Sequence, residues 1–193
     1  MRPVRRDEIL DYVTYEEQRS SIQADALAEK AARRIHVGDE LTFLFENTKT
    51  IRYQILEMVR VERIVKEADI LHELETYNEI LGGPGELGCT LLIEIPDPDR
   101  RPARLRELRT LPQHLYVRLP EGGRVYAQYD ERQVDDERLS SVQFLKFDTK
   151  GEVPVAIGAD HPALTVEAAL DDAQRAALEQ DLQTVDSETG RSA

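Results

Sequence analysis

The sequence predicts an α+β fold in which a mixed or antiparallel sheet of five to six strands has helices packed mainly on one face. Two apolar segments, LTFLFE at Leu41–Glu46 and GCTLLIEI at residues 88–95, are short and bounded by turn residues, which is typical of strands. Between them no glycine or proline interrupts the chain from Asn47 to Leu81, so this stretch is predicted to form two helices. The order strand, two helices, strand is the basis of the predicted fold.

The composition suits one domain and excludes several partner classes. The 193 residues carry a formal net charge of -13 and 40% apolar side chains. We place a single α+β domain at residues 1–182 and a disordered acidic tail at residues 183–193. Nucleic acid and anionic membranes would repel so acidic a surface, so we expect neither as a partner. The single cysteine, Cys89, allows no internal disulfide, and no apolar run could span a membrane, so we expect a cytoplasmic location.

The first central helix has polar residues where its helical phase predicts an apolar face. Advancing about 100° per residue from Ile51 places Ile55 and Val59 on one arc. Gln54 and Glu62 fall within that arc, so we predict that Glu62 is buried and hydrogen-bonded, because an unpaired buried carboxylate is costly. A carboxylate in apolar surroundings often has a shifted pKa, which makes Glu62 the first candidate for chemistry.

A ligand pocket is predicted where the two central helices fold back on each other. The second helix, at about residues 67–81, brings Asn78 close to the turn at Gly82. The candidate ligand-binding residues are Gln54, Glu57, Arg60, Glu62 and Asn78, in a pocket lined by Tyr53, Met58 and Tyr77. These side chains include no histidine or cysteine, so a small polar ligand or a partner's side chain suits them better than a transition metal. The simpler interpretation of Glu57 and Arg60 is a solvated ion pair at i,i+3 spacing.

Other charged residues allow further sites, each with a simpler alternative. His72 lies beside glutamates at helical spacing, which suits a metal ligand but is more typical of a solvated acidic face. His161 follows Asp160, which suits an oriented acid–base pair but is more typical of a turn. The arginines at residues 100–109 suit either an acidic partner or neutralisation of the acidic C-terminal third, and we favour neutralisation.

Residues typical of helix N-termini predict three further helices. Thr14 and Glu17 match a capping box, which predicts a helix over residues 14–34. Prolines at positions 98 and 102 predict that a helix begins near residues 99–102. An aspartate cap predicts another helix at about residues 172–182.

A hairpin is the strongest strand signal in the second half of the chain. HLYVRL and RVYAQY, at residues 114–119 and 124–129, both alternate in polarity and are joined by a Pro-Glu-Gly-Gly turn. One face of this hairpin carries Tyr116, Arg118, Tyr126 and Gln128 and is predicted to be open or to face a groove. Strands at residues 141–148 and 152–158 complete the predicted sheet.

Four segments together resemble a known family. They are FENTKTIRYQILEMVRVE, HELETYN, GELGCTLLIEI and, near the end of the chain, GADHP. Over residues 2–182 the chain resembles an uncharacterised bacterial family, a domain of unknown function. The resemblance implies no catalytic residues. It implies a place in redox physiology, because such proteins tend to be encoded beside rubrerythrin-like and iron–sulfur proteins.

Two hypotheses follow for function. The first is a non-enzymatic accessory or binding protein of a bacterial redox or oxidative-stress system, with a protein partner. The second is a small enzyme or metal-binding protein that uses the central helix carboxylates Glu57 and Glu62, with His72 or His161. The sequence identifies no cofactor. The hypotheses differ on whether the polar residues of the central helix line a cavity or are satisfied by local contacts.

Overall fold

A computed structural model describes residues 1–130 and 138–183 and has the predicted α+β fold. The predicted acidic tail, apart from Gln183, lies outside the described residues. The helices are α1 (Tyr12–Ala31), α2 (Thr48–Val61), α3 (Glu67–Asn78), α4 (Arg101–Glu107) and α5 (Asp172–Gln183). The strands are β1 (Arg34–Val37), β2 (Leu41–Glu46), β3 (Glu86–Ile93), β4 (Leu115–Arg118), β5 (Arg124–Tyr126), β6 (Gln128–Tyr129), β7 (Val142–Asp148), β8 (Ala156–His161) and β9 (Leu164–Ala169). Short 3-10 turns lie at Arg6–Glu8 and Leu111–His114.

The strands are divided between two antiparallel sheets. One has the order β1-β2-β3-β7-β6 and the other has the order β5-β4-β8-β9. The division falls within the predicted hairpin, whose second strand changes partner at Ala127. Before Ala127, β5 pairs with β4 and sets Val125 opposite Val117, whereas after it β6 pairs with β7. The Ala127 N–H still donates to the Leu115 carbonyl at 2.9 Å, so one kinked strand joins the two sheets.

The structure contains two strands that the sequence patterns did not predict. β1 begins at the predicted end of the first helix, residue 34, and Gly38, with a φ of +62°, makes its turn into β2. β9 follows the turn at Pro162 and forms an edge of the four-stranded sheet. β8 begins at Ala156, later than predicted, because Pro154 has no N–H to donate to a ladder.

The apolar side chains form two cores. The larger lies between the sheets, where Phe43, Phe45, Leu91, Phe147 and Ile157 are fully buried. The smaller joins the helices, with Tyr15, Ile51, Ile55, Leu56 and Val59 at its centre. At about 25 cal/mol for each Å² of apolar surface removed from water, these two cores are the main stabilising term.

The N-terminus of α1 corrects the predicted capping box. Asp11 is the cap residue, and its carboxylate accepts hydrogen bonds from the amides of Val13 and Thr14 at 3.0 and 3.1 Å. Thr14 donates its hydroxyl to the same carboxylate at 2.6 Å. The prediction that Thr14 caps the helix was wrong, because the acceptor three residues earlier already satisfies the free amides.

The prediction that Glu62 is buried was also wrong. Glu62 is the C-cap residue of α2: its N–H still donates to the Met58 carbonyl at 3.0 Å, but the chain leaves the helix directly after it, so it lies beyond the part of α2 that packs into the core. Arg63 adopts a φ of +50°, and the Ile64 N–H returns to the Val59 carbonyl at 2.9 Å, which is the pattern of a Schellman end. This turn directs Glu62 into solvent, where its side chain is exposed.

Arg104, in α4, is neutralised by carboxylates outside the acidic C-terminal third. Arg104 binds Glu40 at 2.6 Å and Glu107 at 2.8 Å. Glu40 lies in the turn between β1 and β2, and Glu107 lies in α4 itself, so neither partner belongs to the acidic C-terminal third.

In the part of the chain that the structure describes, no helix combines the length and the apolarity needed to cross a bilayer.

Candidate functional site

The residues predicted to share a pocket are held by different neighbours. Glu57 and Arg60 lie between α1 and α2, whereas Glu62 lies in the exposed turn before α3. The Asn78 side chain binds the backbone of Val4, accepting from its N–H at 2.8 Å and donating to its carbonyl at 3.0 Å. The structure therefore joins Glu57 to Arg60 but holds Glu62 and Asn78 elsewhere, and the role of the predicted residues in ligand binding remains a prediction.

Glu57 is held by cations from two helices. It accepts hydrogen bonds from the Tyr15 hydroxyl at 2.6 Å, from Arg19 at 2.8 Å and from Arg60 at 3.0 Å. Partial burial by itself would raise the pKa of Glu57, but the hydrogen bonds from Arg19, Tyr15 and Arg60 outweigh it and bring the pKa to about 2. Glu57 is therefore ionised at neutral pH and joins α1 to α2.

A second polar constellation lies on the outer face of the four-stranded sheet. Residues alternate along each strand, so that Val117, Ile157 and Ala159 enter the core while their neighbours point outward. We name the outward surface the Asp160 face. It consists of His114, Tyr116, Arg118, Arg124, Tyr126, Asp160 and Glu167.

Asp160 is the centre of this face. Its carboxylate accepts from the Tyr126 hydroxyl at 2.6 Å and from Arg124 at 2.9 Å through one oxygen, and the His114 Nδ1 lies 3.1 Å from the other. The hydrogen bond from Tyr126, followed by those of His114 and the charge of Arg124, lowers the pKa of Asp160 below its ordinary value. An ionised carboxylate only accepts, so the His114 Nδ1 is the donor in this contact.

Gly158 leaves room for a second group of contacts on this face, around Glu167. Tyr116, Gly158 and Glu167 are opposite one another on β4, β8 and β9. The Tyr116 hydroxyl passes over Gly158 and donates to Glu167 at 3.0 Å. A Cβ at Gly158 would lie 3.1 Å from that hydroxyl and 2.3 Å from the Val166 carbonyl oxygen, so a side chain here would block the contact. Arg118 completes the group by binding Glu167 at 3.1 Å.

Aromatic and cationic groups stack across the same surface. The Arg124 guanidinium lies 4.1 Å from the centre of the Tyr116 ring. The Tyr116 and Tyr126 rings are 5.9 Å apart and meet edge to face. Tyr126 is 45% exposed, while Tyr116 beneath Arg124 is only 3% exposed. The face is thus an ordered layer whose upper groups are open to solvent.

His161 lies just beneath this face and is chemically distinct from His114. Its Nδ1 accepts from the Ala163 N–H at 3.1 Å, so its Nε2 carries the proton and donates to the Thr110 hydroxyl at 3.1 Å. The ring is buried and meets the His114 ring edge to face at 5.1 Å. Burial, together with the positive charges of His114 and Arg104, lowers the pKa of His161, which remains neutral at pH 7.

The Asp160 face has the groups for recognition. It presents guanidinium, phenol, imidazole and carboxylate groups in fixed positions. Across residues 1–130 and 138–183, no three or more histidine, cysteine, aspartate or glutamate side chains gather in a way that could hold a metal ion. The groups on this face can form hydrogen bonds and ring contacts with a partner.

The sequence contained part of this site. The local patterns predicted an open polar side of the hairpin and a possible Asp160–His161 pair, but they did not predict that the two lie next to each other. Glu167 was missed because β9 was not predicted. Alternation of polar and apolar residues over Leu164–Ala169 is the signal that could have found it.

Comparison with known proteins identifies a family whose description names no reaction. A family model described as "Protein of unknown function (DUF3501)" matches residues 3–182. A solved structure of a novel protein of unknown function from Burkholderia pseudomallei is similar, with a TM-score of 0.85 and 33% identity. That match covers 94% of this chain and 100% of the other. No curated protein matches the chain.

Proposed function

Because the chain belongs to the DUF3501 family of proteins of unknown function, we propose its function from the Asp160 face: the protein is a non-enzymatic accessory protein that binds a protein partner of a bacterial redox system. The family description names no activity. The proposal therefore depends on the geometry of the face for binding and on the family resemblance for the class of partner.

The observation that supports binding most directly is the arrangement around Asp160. Three side chains, two from β5 and one from the 3-10 turn before β4, converge on one carboxylate. Each is partly exposed: the Arg124 side chain by 43% and the His114 side chain by 33%, with Tyr126 at 45% as a residue. Tyrosine and arginine contribute most often to the energetic centre of protein interfaces. Since their mutual hydrogen bonds already fix these side chains, docking costs little further conformational entropy.

The central helix supports the alternative, an enzyme or metal protein, less well. A general base must accept a proton near neutral pH, but the Glu57 pKa of about 2 keeps this carboxylate ionised and bound to its cations. Glu62 is exposed at the turn that ends α2, outside the apolar core between the helices. Neither carboxylate has the environment that the enzymatic hypothesis requires.

The redox partner class comes from the resemblance noted above. Proteins of this type tend to be encoded beside rubrerythrin-like and iron–sulfur proteins, and neighbouring genes often encode proteins that act together. The positive and negative charges of the Asp160 face balance, and its tyrosine, arginine and carboxylate groups suit a protein surface. Nucleic acid suits it less well, because the net charge of -13 would repel the phosphate backbone.

A binding measurement tests the proposal. The whole protein is titrated by calorimetry with a rubrerythrin-like protein and with an iron–sulfur protein, the two kinds of protein that the family resemblance implies. We expect one of them to bind, and we expect Tyr126→Ala to weaken binding about tenfold or more because it removes both the exposed ring and a hydrogen bond to Asp160. The control is Leu27→Ala, which alters a 53% exposed apolar residue on α1 away from the face. Binding that Tyr126→Ala and Leu27→Ala affect equally would place the interface elsewhere, and no binding by either redox protein would reject the partner class.

A further inference from the structure

The turn between β8 and β9 is tied to the ring of a buried histidine. His161 is the last residue of β8, and its Nδ1 accepts the N–H of Ala163 at 3.1 Å. The Thr165 hydroxyl donates to the His161 carbonyl at 3.2 Å from the other side of the turn. A backbone N–H can bond Nδ1 only while that nitrogen has a free lone pair, so the closed turn requires a neutral His161 ring.

The charged groups around His161 oppose its protonation. From α4, the Arg104 guanidinium donates to the Ala163 carbonyl at 3.2 Å and places a positive charge beside the turn. From the 3-10 turn before β4, the His114 ring meets His161 edge to face at 5.1 Å. Glu107, also in α4, acts in the opposite sense, but it is exposed and already binds Arg104 at 2.8 Å. Burial and the two cationic neighbours therefore favour the neutral ring.

Two further carboxylates act through other residues. Glu40, in the turn between β1 and β2, binds Arg104 at 2.6 Å, and Asp160 binds His114 at 3.1 Å. Each of these carboxylates already has a partner other than His161. A proton added to the His161 Nδ1 would therefore face the Ala163 N–H, which is itself a donor, instead of an acceptor.

Opening this turn would disturb the Asp160 face. Asp160 directly precedes His161 in β8, and Glu167 follows the turn in β9. His161 and Leu164 are the pair that closes the hairpin of these two strands. Loss of this closing pair would free Asp160 to move relative to Tyr126, whose hydroxyl donates to it from β5. Protonation inside the turn is thus coupled to the geometry of the face outside it.

We propose that His161 is a proton-sensitive switch for the Asp160 face: a neutral ring keeps the turn closed, and protonation opens the turn and weakens partner binding. The effect on partner binding rests on the proposed function, whereas the opening of the turn does not. The pKa of His161 is lowered from 6.5 in the closed form, so the open form binds the proton first. The turn is therefore most stable above about pH 6.5, and opening becomes up to about tenfold more favourable for each pH unit below that value, until the closed form is itself protonated.

Hydrogen exchange measured by NMR on the whole protein tests the turn without any partner. The protection of the Ala163 N–H, corrected for the intrinsic effect of pH, should fall about tenfold between about pH 7.5 and 5.0, and the amide shifts of Tyr126 and Glu167 should change over the same range. Constant protection would overturn the proposal. In His161→Asn the side-chain oxygen can still accept from the N–H two residues on, but the side chain does not titrate, so protection should no longer depend on pH.

Two other histidines provide the controls. His72→Gln, at an exposed position of α3, should keep the wild-type pH dependence. His114→Asn keeps a donor for Asp160 but removes a charge that opposes protonation of His161, so protection should still fall, starting at a higher pH. If the pH dependence survives in His161→Asn, or disappears in His114→Asn, His161 is not the sensor. If circular dichroism shows that His161→Asn is unfolded, the wild type and His114→Asn still decide.

Calorimetry at two pH values separates the switch from the proposed function. Binding of a rubrerythrin-like or an iron–sulfur protein should be about tenfold weaker at about pH 5.5 than at about pH 7.5. Equal binding at both values, in a protein whose turn opens, would show that the turn does not control the Asp160 face. Absence of binding at both values would reject the proposed partner class, while the exchange of Ala163 would still decide whether His161 opens the turn.

Discussion

The Arg33 guanidinium and the Asp181 carboxylate meet through two hydrogen bonds of 2.8 and 2.9 Å, although 148 residues separate them in the chain. Both side chains are almost fully buried, at 4% and 6% exposure. The pair fixes α5 beside the end of α1. Asn47, which caps α2, also donates to Asp181 at 3.5 Å, so three helices meet at this carboxylate.

Removing one member of this pair should be costly. We expect Asp181→Ala to lower the free energy of unfolding by about 2–3 kcal/mol, because the buried Arg33 would lose two charge-assisted hydrogen bonds and keep only its contacts with Glu29. Urea unfolding measures the change. Glu179→Ala, on an exposed position of the same helix, should change stability by less than about 0.5 kcal/mol. Equal effects of the two substitutions would mean that the buried pair contributes no more than a surface carboxylate.

Glu57 and Glu62 should respond differently to the same substitution. We expect Glu57→Ala to cost about 2–3 kcal/mol because it leaves Arg19, Arg60 and the Tyr15 hydroxyl without their acceptor. Glu62→Ala should cost less than about 0.5 kcal/mol because the side chain is exposed. Urea midpoints of the two variants provide the comparison. A large loss at Glu62 would restore the original prediction of burial and contradict the observed end of α2.

The stability that Glu57 contributes should depend on pH in the acid range. Its pKa falls from an ordinary value of 4.5 to about 2 in the folded protein. The unfolded chain therefore takes up the proton first, and the contribution is fully present above about pH 4.5 and is lost as the pH falls towards about 2. The difference in urea midpoint between the wild type and Glu57→Gln should shrink over this interval. A difference that stays constant down to the lower limit would contradict the assigned ionisation.

His161 should make the protein less stable below neutral pH. Its pKa is lowered from 6.5 by burial first and then by the charges of His114 and Arg104. Its stabilising contribution is therefore complete above a pH of about 6.5 and declines as the pH falls below that value, because the unfolded chain binds the proton first. His161→Gln should flatten this part of the pH profile, while the exposed His72→Gln should not. Nitrogen NMR should show the Nε2–H tautomer at pH 7, and an Nδ1–H tautomer would disprove the contact with Ala163.

Gly88 should tolerate no side chain. A Cβ at this position would lie 2.0 Å from the Ile80 carbonyl oxygen, which belongs to the backbone and cannot move aside cheaply. We expect Gly88→Ala to cost more than about 2 kcal/mol. Gly123→Ala is the control, since nothing lies within 4 Å of the corresponding Cβ. Equal thermal midpoints for the two variants would show that the segment after α3 can shift.

The sequence patterns correctly predicted those helices and strands whose formation depends mainly on residues close to one another in the chain. The segment Leu41–Glu46 and the hairpin around residues 120–123 were identified from alternation and turn residues, and the long stretch free of glycine and proline is helical. The errors occurred where a tertiary contact decides the structure. β1 forms because β2 provides a partner, and the phase of α2 stops at a Schellman end that contains arginine instead of the usual glycine.

The candidate site could not have been assembled from periodicity. Asp160 and His114 are 46 residues apart and meet only because β4 pairs with β8. Local sequence carries no information on which strands become neighbours, so the polar face of the hairpin and the Asp160–His161 pair remained separate signals. The predicted pocket on the central helices assumed that polar residues in one phase share a cavity, but Glu57 is satisfied by α1 and Asn78 by the N-terminal segment.

The position of β3 has a consequence for the synthesis of the chain. Cys89 pairs with Phe45 on one side and with Leu145 on the other, so the central strand of its sheet lies between partners that are made long before and long after it. Until β7 has left the ribosome, one edge of β3 exposes unpaired N–H and C=O groups that a second nascent chain can join. The edge of β3 is therefore protected only once Val142–Asp148 has been made, and truncation before this strand should give insoluble protein rather than a smaller folded one.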